Sequence, residues 1–550
     1  MQHTVGPGSR AIFFFVVACG LAVALDAVAG QKPAPGEAKG QVPHNPFLMS
    51  DSFYPIVHFD SAQTDATSVR MWEGNHTVDS GQVEWVPSTI AIPGNIHRPY
   101  ADGTQAILAF TNAGVIKVRM DGGRWQKIDE LVIPEQQDHR ASPERIVKLR
   151  EAMDSSWMDE AAILKNFRAY LEEVGFSREI APNGLYTVLD RDGYAYAGYD
   201  TTLYRIGDKG ADGVDAQLEI DRSLDLRKAV PPELAASVTR FLGVNITYDG
   251  YVVVALPGLI AVVSRDLEEV YTAPITGEAV DNGIAIDPQG GIYVVTDKYM
   301  RKLVWTGKEL SLKPEDGAWK EPYAYARDKP GLWLSRGSGA TPTLMGFGED
   351  ADRLVLVPDA GDPVKVLAFW RDDIPEDAKQ LPGHSSKRLA GEVPVGFSVD
   401  TTIEWSLQVY GNGVMALASD FPDPITSDGD RSLLTTLVTM GYTRKAPRGA
   451  QKFSWNADTN AFERDWLYDA RTVTWTMTPV SAANNATYLN TLQDGEWIIV
   501  GVNWDSGEQI AEIKLPPSYI YNALGGFHMP MPGGDIFVGG MFGPVRIRAR

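Results

Sequence analysis

Asn282-Gly283-Ile284-Ala285-Ile286-Asp287-Pro288-Gln289-Gly290-Gly291-Ile292-Tyr293-Val294-Val295-Thr296, running on into Arg301-Lys302-Leu303-Val304-Trp305, reads as three short strands joined by tight turns. β-Branched and aromatic residues fill the runs, and Pro288 with Gly290-Gly291 makes the first turn. A second copy lies upstream, from Asn245-Ile246-Thr247-Tyr248-Asp249-Gly250 through Val252-Val253-Val254 to Leu259-Ile260-Ala261-Val262-Val263. Related turns recur at Asp102-Gly103, Asp192-Gly193, Asp350-Ala351-Asp352, Gly411-Asn412-Gly413, Asp494-Gly495 and Pro532-Gly533-Gly534. Successive units are roughly 40 to 90 residues apart, and a four-stranded blade takes about 40, which leaves room for insertions. Most connections are too short and too polar to hold a helix each, which argues against parallel βαβ units. A sandwich or a β-helix stays open. The expected fold is all-β: a seven- or eight-bladed β-propeller with a helical insertion, each blade burying both faces against its neighbours.

Two segments break the pattern. Ser142 followed by Pro143 is a helix start, with the hydroxyl as N-cap and the proline in the first turn. From Trp157 to Phe176, apolar residues at Ala161, Ala162, Ile163, Phe167, Tyr170, Leu171 and Val174 keep a period near 3.6. A shorter helical insertion is expected from Pro231 to Phe241. The insertions near 140–176 and 230–241 either cover the channel mouth or pack along a blade's outer edge.

Arg10, a 15-residue apolar run from Ala11 to Leu25, and Ala27-x-Ala29 follow the order of a secretory signal peptide. The expected organisation is a signal peptide over 1–29, a linker over 30–45, an N-terminal segment over 46–80 packed on the propeller, and the propeller over 81–550. Cys19, the single cysteine of the chain, sits in Val16-Val17-Ala18-Cys19, which resembles a bacterial lipobox, although the apolar run continues past it. Periplasmic or secreted localisation is the leading expectation, ahead of an outer-membrane lipoprotein, with no transmembrane segment in the mature chain. Cleavage after Ala29 leaves no thiol for disulfide, nucleophile or metal. Lys and Arg total 50 against 71 Asp and Glu, a net charge of -21, which makes nucleic acid a poor partner. A small molecule or a protein at a propeller face is the expected partner.

The stretch Asn282–Asp287 with Gly290–Asp297 resembles blades of the gluconolactonase/regucalcin, paraoxonase, strictosidine-synthase-like and NHL-repeat propellers. The resemblance implies a divalent cation in the central channel, Ca²⁺ or another, held by oxygens from the starts of inner strands. The matching positions are Asn282, Asn245 and, in a later blade, Glu404. No quinone or nucleotide is expected: the quinoprotein tryptophan motifs, the P-loop and the Rossmann fingerprint are absent. His58, His97 and His528 are the candidate general bases, since imidazole titrates near neutrality. His528 sits between Gly525-Gly526 and Gly533-Gly534, where backbone can approach a ligand closely. The acidic run 420–431 has carboxylates for a hard cation but not the EF-hand spacing, and reads first as an ordinary solvated loop. Two functions stay open: an exported propeller that binds or scaffolds a ligand, and a lactonase-like or other metal-dependent hydrolase. Whether the protein is an enzyme is undecided at this level. Intact-mass measurement of the exported protein is expected to find its first residue near Gly30; a chain starting at an acylated Cys19 is the opposing outcome.

Overall fold

Short turns hold each run in register with the next, so every strand–turn–strand unit closes as an antiparallel sheet. The computed structural model describes residues 42–549 apart from 51, 121–122, 176–182, 211–212, 326–336, 349–350, 398–402, 420–421, 424, 431, 473–475 and 527. The signal-peptide reading and most of the linker fall outside them. Among the described residues stand eight sheets, numbered here as blades one to eight. Their inner strands are Ala91–Ile96, Thr187–Leu189, Gly243–Ile246, Val280–Ile286, Thr343–Met345, Gln408–Tyr410, Val480–Ser481 and His528–Pro530. Inner strands pack side by side from blade one through blade four and from blade five through blade seven, and blade eight lies against blade one. The protein is therefore an all-β, eight-bladed propeller with helical insertions.

The turn after the inner strand is built the same way in blades two and four. Asp190 Oδ1 accepts from the backbone N–H of Asp192 and Tyr194, and its Oδ2 from the Tyr196 hydroxyl. Asp287 repeats this with Gln289, Gly291 and the Tyr293 hydroxyl. An Asp-x-x-Gly-x-x-Tyr pattern thus locks the turn and pins the second strand to it, and Gly193 and Gly290 take the left-handed backbone conformation this needs, at φ 94° and 85°. These residues of blade four carry the resemblance to the lactonase-like propellers, and their work here is architectural. Blades are also clamped to each other. The indole N–H of Trp305 in blade four donates to Asp249 in the turn of blade three, and Trp455 of blade six to Asp352 of blade five. Lys117 of blade one, fully buried, pairs with Asp208 of blade two at 2.6 Å and spends its other protons on two carbonyls, as a buried cation requires.

The N-terminal part contributes strands to the last two blades. Ala66–Thr67 and Gly74–Thr77 add to the two edges of blade seven, and Val83–Trp85 is the outer strand of blade eight. The ring is closed by pairing the start of the chain to its end.

Helix α1 (Pro143–Asp154) and helix α2 (Glu160–Glu173) lie between blades one and two in sequence. The Ser142 hydroxyl caps α1, and Pro143 opens it. Ile146, Leu149, Phe167 and Leu171 are buried, the period-3.6 stripe facing the sheet ends. The helices reach across to blade eight: the Tyr170 hydroxyl donates to the Met541 carbonyl, and Asp154 accepts from the Tyr519 N–H at 2.8 Å. Arg168 pairs with Asp428 and Asp430, so part of the acidic run 420–431 is neutralised by α2. Between blades two and three the insertion is a short helix, Leu226–Ala229, and a 3₁₀ turn, Pro232–Ser237. A helix at Leu433–Thr439 inside blade six has no periodic signal strong enough to announce it in seven residues.

Ring closure leaves no space at Gly539, where a Cβ would sit 2.0 Å from the Ile92 carbonyl oxygen of blade one. Gly539→Ala is expected to destabilise the protein by roughly 3 kcal/mol, read as a lower urea midpoint at unchanged slope. An unchanged midpoint would mean that blades one and eight separate without cost.

Candidate functional site

An inner strand has a neighbour on one edge only, and its other edge presents N–H groups that must find acceptors. Here the chain itself supplies them. Between Tyr54 and Thr67 it passes from blade to blade across the inner strands. The Tyr54 carbonyl takes the N–H of Ile96, Pro55 that of Leu189, Ser61 that of Ile286, and Ala62 that of Leu344. Thr64 then takes Val409, Asp65 takes Val480, and Thr67 takes Ala482. Blade three joins through side chains: Asn245 Nδ2 donates to the Ser61 and Ile284 carbonyls at 3.0 and 2.8 Å, and Asn45 Nδ2 to Ile246. This crossing segment is strained. His58, Phe59, Gln63 and Asp65 have φ of 67°, 71°, 63° and 59°, a region that costs a non-glycine residue roughly 1–2 kcal/mol.

The segment borders a pocket and also carries a buried histidine–aspartate pair. The pocket, of about 340 Å³, is lined by Phe59, Asp60, Thr64, Met345, Phe347 and Tyr410 among others. Burial lifts the Asp60 carboxyl to about 6, against the stabilising bonds from the Thr64 hydroxyl and N–H. His58 Nδ1 is 2.7 Å from Asp65 Oδ1, and His58 Nε2 is 3.5 Å from the Ser406 hydroxyl oxygen. Burial raises the Asp65 carboxyl, while the adjoining His58 pulls it down.

The six residues singled out from the sequence are distributed as follows. His58 is in the crossing segment, 4% exposed. His97 follows the inner strand of blade one, stacked on Tyr100 at 4.4 Å with Nδ1 against the Arg98 carbonyl. His528 opens the inner strand of blade eight, with Nδ1 against Asn490 and Nε2 against the Tyr521 carbonyl. The three histidines stand on three different elements. Asn282 and Glu404 both border Gly339: Asn282 Nδ2 donates to the Gly339 carbonyl at 2.7 Å, and a Cβ on Gly339 would lie 3.1 Å from Glu404 Oε2. Asn245 sits apart from them, against the crossing segment.

Asn282 Oδ1 accepts from the Tyr186 hydroxyl and the Gly283 N–H, and Asn245 Oδ1 from the Ile246 N–H. A cation would have to displace these donors to reach either oxygen. Among the described residues no group of three or more His, Cys, Asp or Glu side chains is placed to hold a metal ion.

Sequence reasoning missed Asp60, Asp65 and Ser406. The one legible signal was the alternation Glu404-x-Ser406-x-Gln408 leading into an inner strand, which puts three polar side chains on one face.

No protein-family model matches the chain. A protein of Archaeoglobus fulgidus described as uncharacterized is 29% identical over 394 residues, 70% of this chain and 74% of that one. Among solved structures, the β-propeller domain of Myceliophteria thermophila Cps50 (Swd1) is 10% identical with a TM-score of 0.38, over 66% of this chain and 96% of that one. A functionally unknown protein from Desulfotomaculum acetoxidans is 13% identical, TM-score 0.31, over 59% and 86%. Saccharomyces cerevisiae Sqt1 is 10% identical, TM-score 0.35, over 63% and 76%. The assignment of the fold rests on the strand pairing.

Burial lowers the His528 pKa to about 4, so at neutral pH the ring is uncharged in the folded protein. Unfolding returns it to an ordinary value near 6.5, so between those values the unfolded chain binds more protons. Stability from this group is complete above about pH 6.5 and lost as pH falls towards 4, by about 3 kcal/mol in all. Replacing His528 with Gln is expected to remove that slope from the stability difference between pH 7 and 4.5. A slope identical in both proteins would show that another group causes it.

Proposed function

We propose that the protein is a binding propeller that takes a small, positively charged organic ligand in the pocket beside Asp60. The observation that carries this reading is the pocket's lining. Its volume of about 340 Å³ falls within the range of roughly 300–1,000 Å³ usual for small-molecule sites. Phe59, Phe347 and Tyr410 supply aromatic surface, Asp60 a carboxylate, and Ser61, Thr64 and Thr67 hydroxyls. Neither Lys nor Arg lines it. Aromatic rings around one carboxylate favour an ammonium group, and a net charge of -21 draws cations to the surface.

His44 and Tyr410 line the pocket with Asp60, and Asp65 and Tyr248 lie close enough to interact with Asp60 electrostatically. Asp65 adds to the rise in the Asp60 pKa, and a bound cation opposes it. Choline and putrescine are expected to raise the melting temperature at pH 8, with the effect fading as pH falls through about 6. Asp60→Asn should abolish the shift, and Ser68→Trp, at an exposed position on the pocket wall, should block it by filling the space. Glucose and acetate serve as neutral and anionic controls. Equal shifts from all four compounds, or none from any, would overturn the reading.

A further inference from the structure

We propose that Ser406, His58 and Asp65 form a nucleophile, a general base and its orienting carboxylate, and that they hydrolyse short acyl esters where the crossing segment meets blade six. The proposal concerns a site distinct from the pocket, since none of the three residues lines it.

The geometry has the order such a relay needs. Asp65 Oδ1 holds Nδ1 of His58 at 2.7 Å, which directs the ring's other nitrogen at the Ser406 hydroxyl, 3.5 Å away. Serine–histidine contacts in an unliganded site are commonly this loose, and close as substrate binds. All three are buried: Asp65 is 0% exposed, and His58 and Ser406 are each 4% exposed. A carboxylate shut away from water holds an imidazole in one tautomer, and an imidazole with a trace of exposure can exchange protons. Gln408 Nε2 donates to the Ser406 carbonyl at 2.8 Å, so blade six holds the backbone that carries the nucleophile.

The backbone gives a second, independent observation. Eleven non-glycine residues have positive φ among the described residues, and four of them, His58, Phe59, Gln63 and Asp65, fall within eight positions. Both ends of the His58–Asp65 contact are themselves among the four. Strain of this kind persists where surrounding structure fixes it, and it gathers at functional sites. A segment that merely filled the channel had no need to hold a histidine and an aspartate in that conformation.

The chemistry balances without a cofactor. As Ser406 Oγ attacks the ester carbonyl carbon, its proton passes to His58 Nε2 and the carbonyl π pair moves to oxygen. Collapse of the tetrahedral species breaks the bond to the alcohol oxygen, which leaves with the proton from His58. Water then repeats the sequence on the acyl-serine and releases the carboxylic acid. Asp65 stays ionised and acts through His58, as a positioning residue. Glu404, two residues ahead of Ser406 and 4% exposed, makes the surroundings acidic, so the substrate is a small ester without a carboxylate of its own.

The test uses the full mature chain, diisopropyl fluorophosphate and p-nitrophenyl acetate. Peptide mapping of the treated wild type is expected to find the phosphoryl adduct on Ser406. Ser406→Ala should lose both the adduct and at least about 100-fold of the esterase rate while melting at the wild-type temperature. Asp65→Asn should lower kcat with KM unchanged, a split that a purely structural role would not produce. An unlabelled Ser406 in folded wild type overturns the proposal, as does esterase activity that survives in Ser406→Ala.

Discussion

Everything near the axis depends on one demand: the free edge of each inner strand must find hydrogen-bond acceptors. A buried N–H left without one costs roughly 1–3 kcal/mol, and a propeller brings many such edges to one place. In this protein residues 54–67 meet the demand by laying carbonyls across successive inner strands, from Ile96 in blade one to Ala482 in blade seven. The segment is buried as a consequence, with Tyr54, Ile56, Ala62 and Asp65 all at 0% exposure. Its strained residues are tolerated because so many bonds fix it on both sides.

That crossing also decides what chemistry the axis can present. Inner-strand polar groups that would otherwise face an open channel are engaged instead: Asn95 and Asn245 donate to carbonyls of the crossing segment, and Thr343 to the next blade's backbone. Asp60 and Thr64 border the pocket, whereas His58 and Asp65 pair with each other beside Ser406. Two sites of different character follow from a single stretch of chain.

The N-terminal region does further structural work beyond the axis. After leaving it, the chain pairs with blade seven and then completes blade eight with Val83–Trp85. The order of events in the sequence matters here. A strand from the start of the chain bonded to the last blade makes the ring a closed object, in which no blade is free to peel from an open edge. The cross-blade tryptophans serve the same end. Trp305 and Trp455 have no constant sequence spacing, yet both reach the Asp-containing turn of the preceding blade, because loops of different length separate equivalent strands.

Local features were legible in the residues alone. The strand–turn–strand units, the left-handed glycines of the turns and the start of α1 at Ser142-Pro143 are set by neighbours within a few positions, where backbone sterics and capping act. One turn shows the limit: Asp494-Gly495 joins the second and third strands of blade seven, not the first and second, since an Asp-Gly turn has the same chemistry in either place. Asn282 and Asn245 were recognisable as inner-strand residues, but their bonding was not, because Tyr186, Gly339 and Ser61 arrive from distant segments. His58 and Ser406 are 348 positions apart, and no periodicity links them. Period and turn chemistry are short-range, and so the sequence by itself determined the repeating blade and its helical interruptions. Which side chains share the axis was decided only when ring closure and the crossing segment folded the two ends of the chain onto the same inner strands, for that is a long-range matter of which edges needed acceptors.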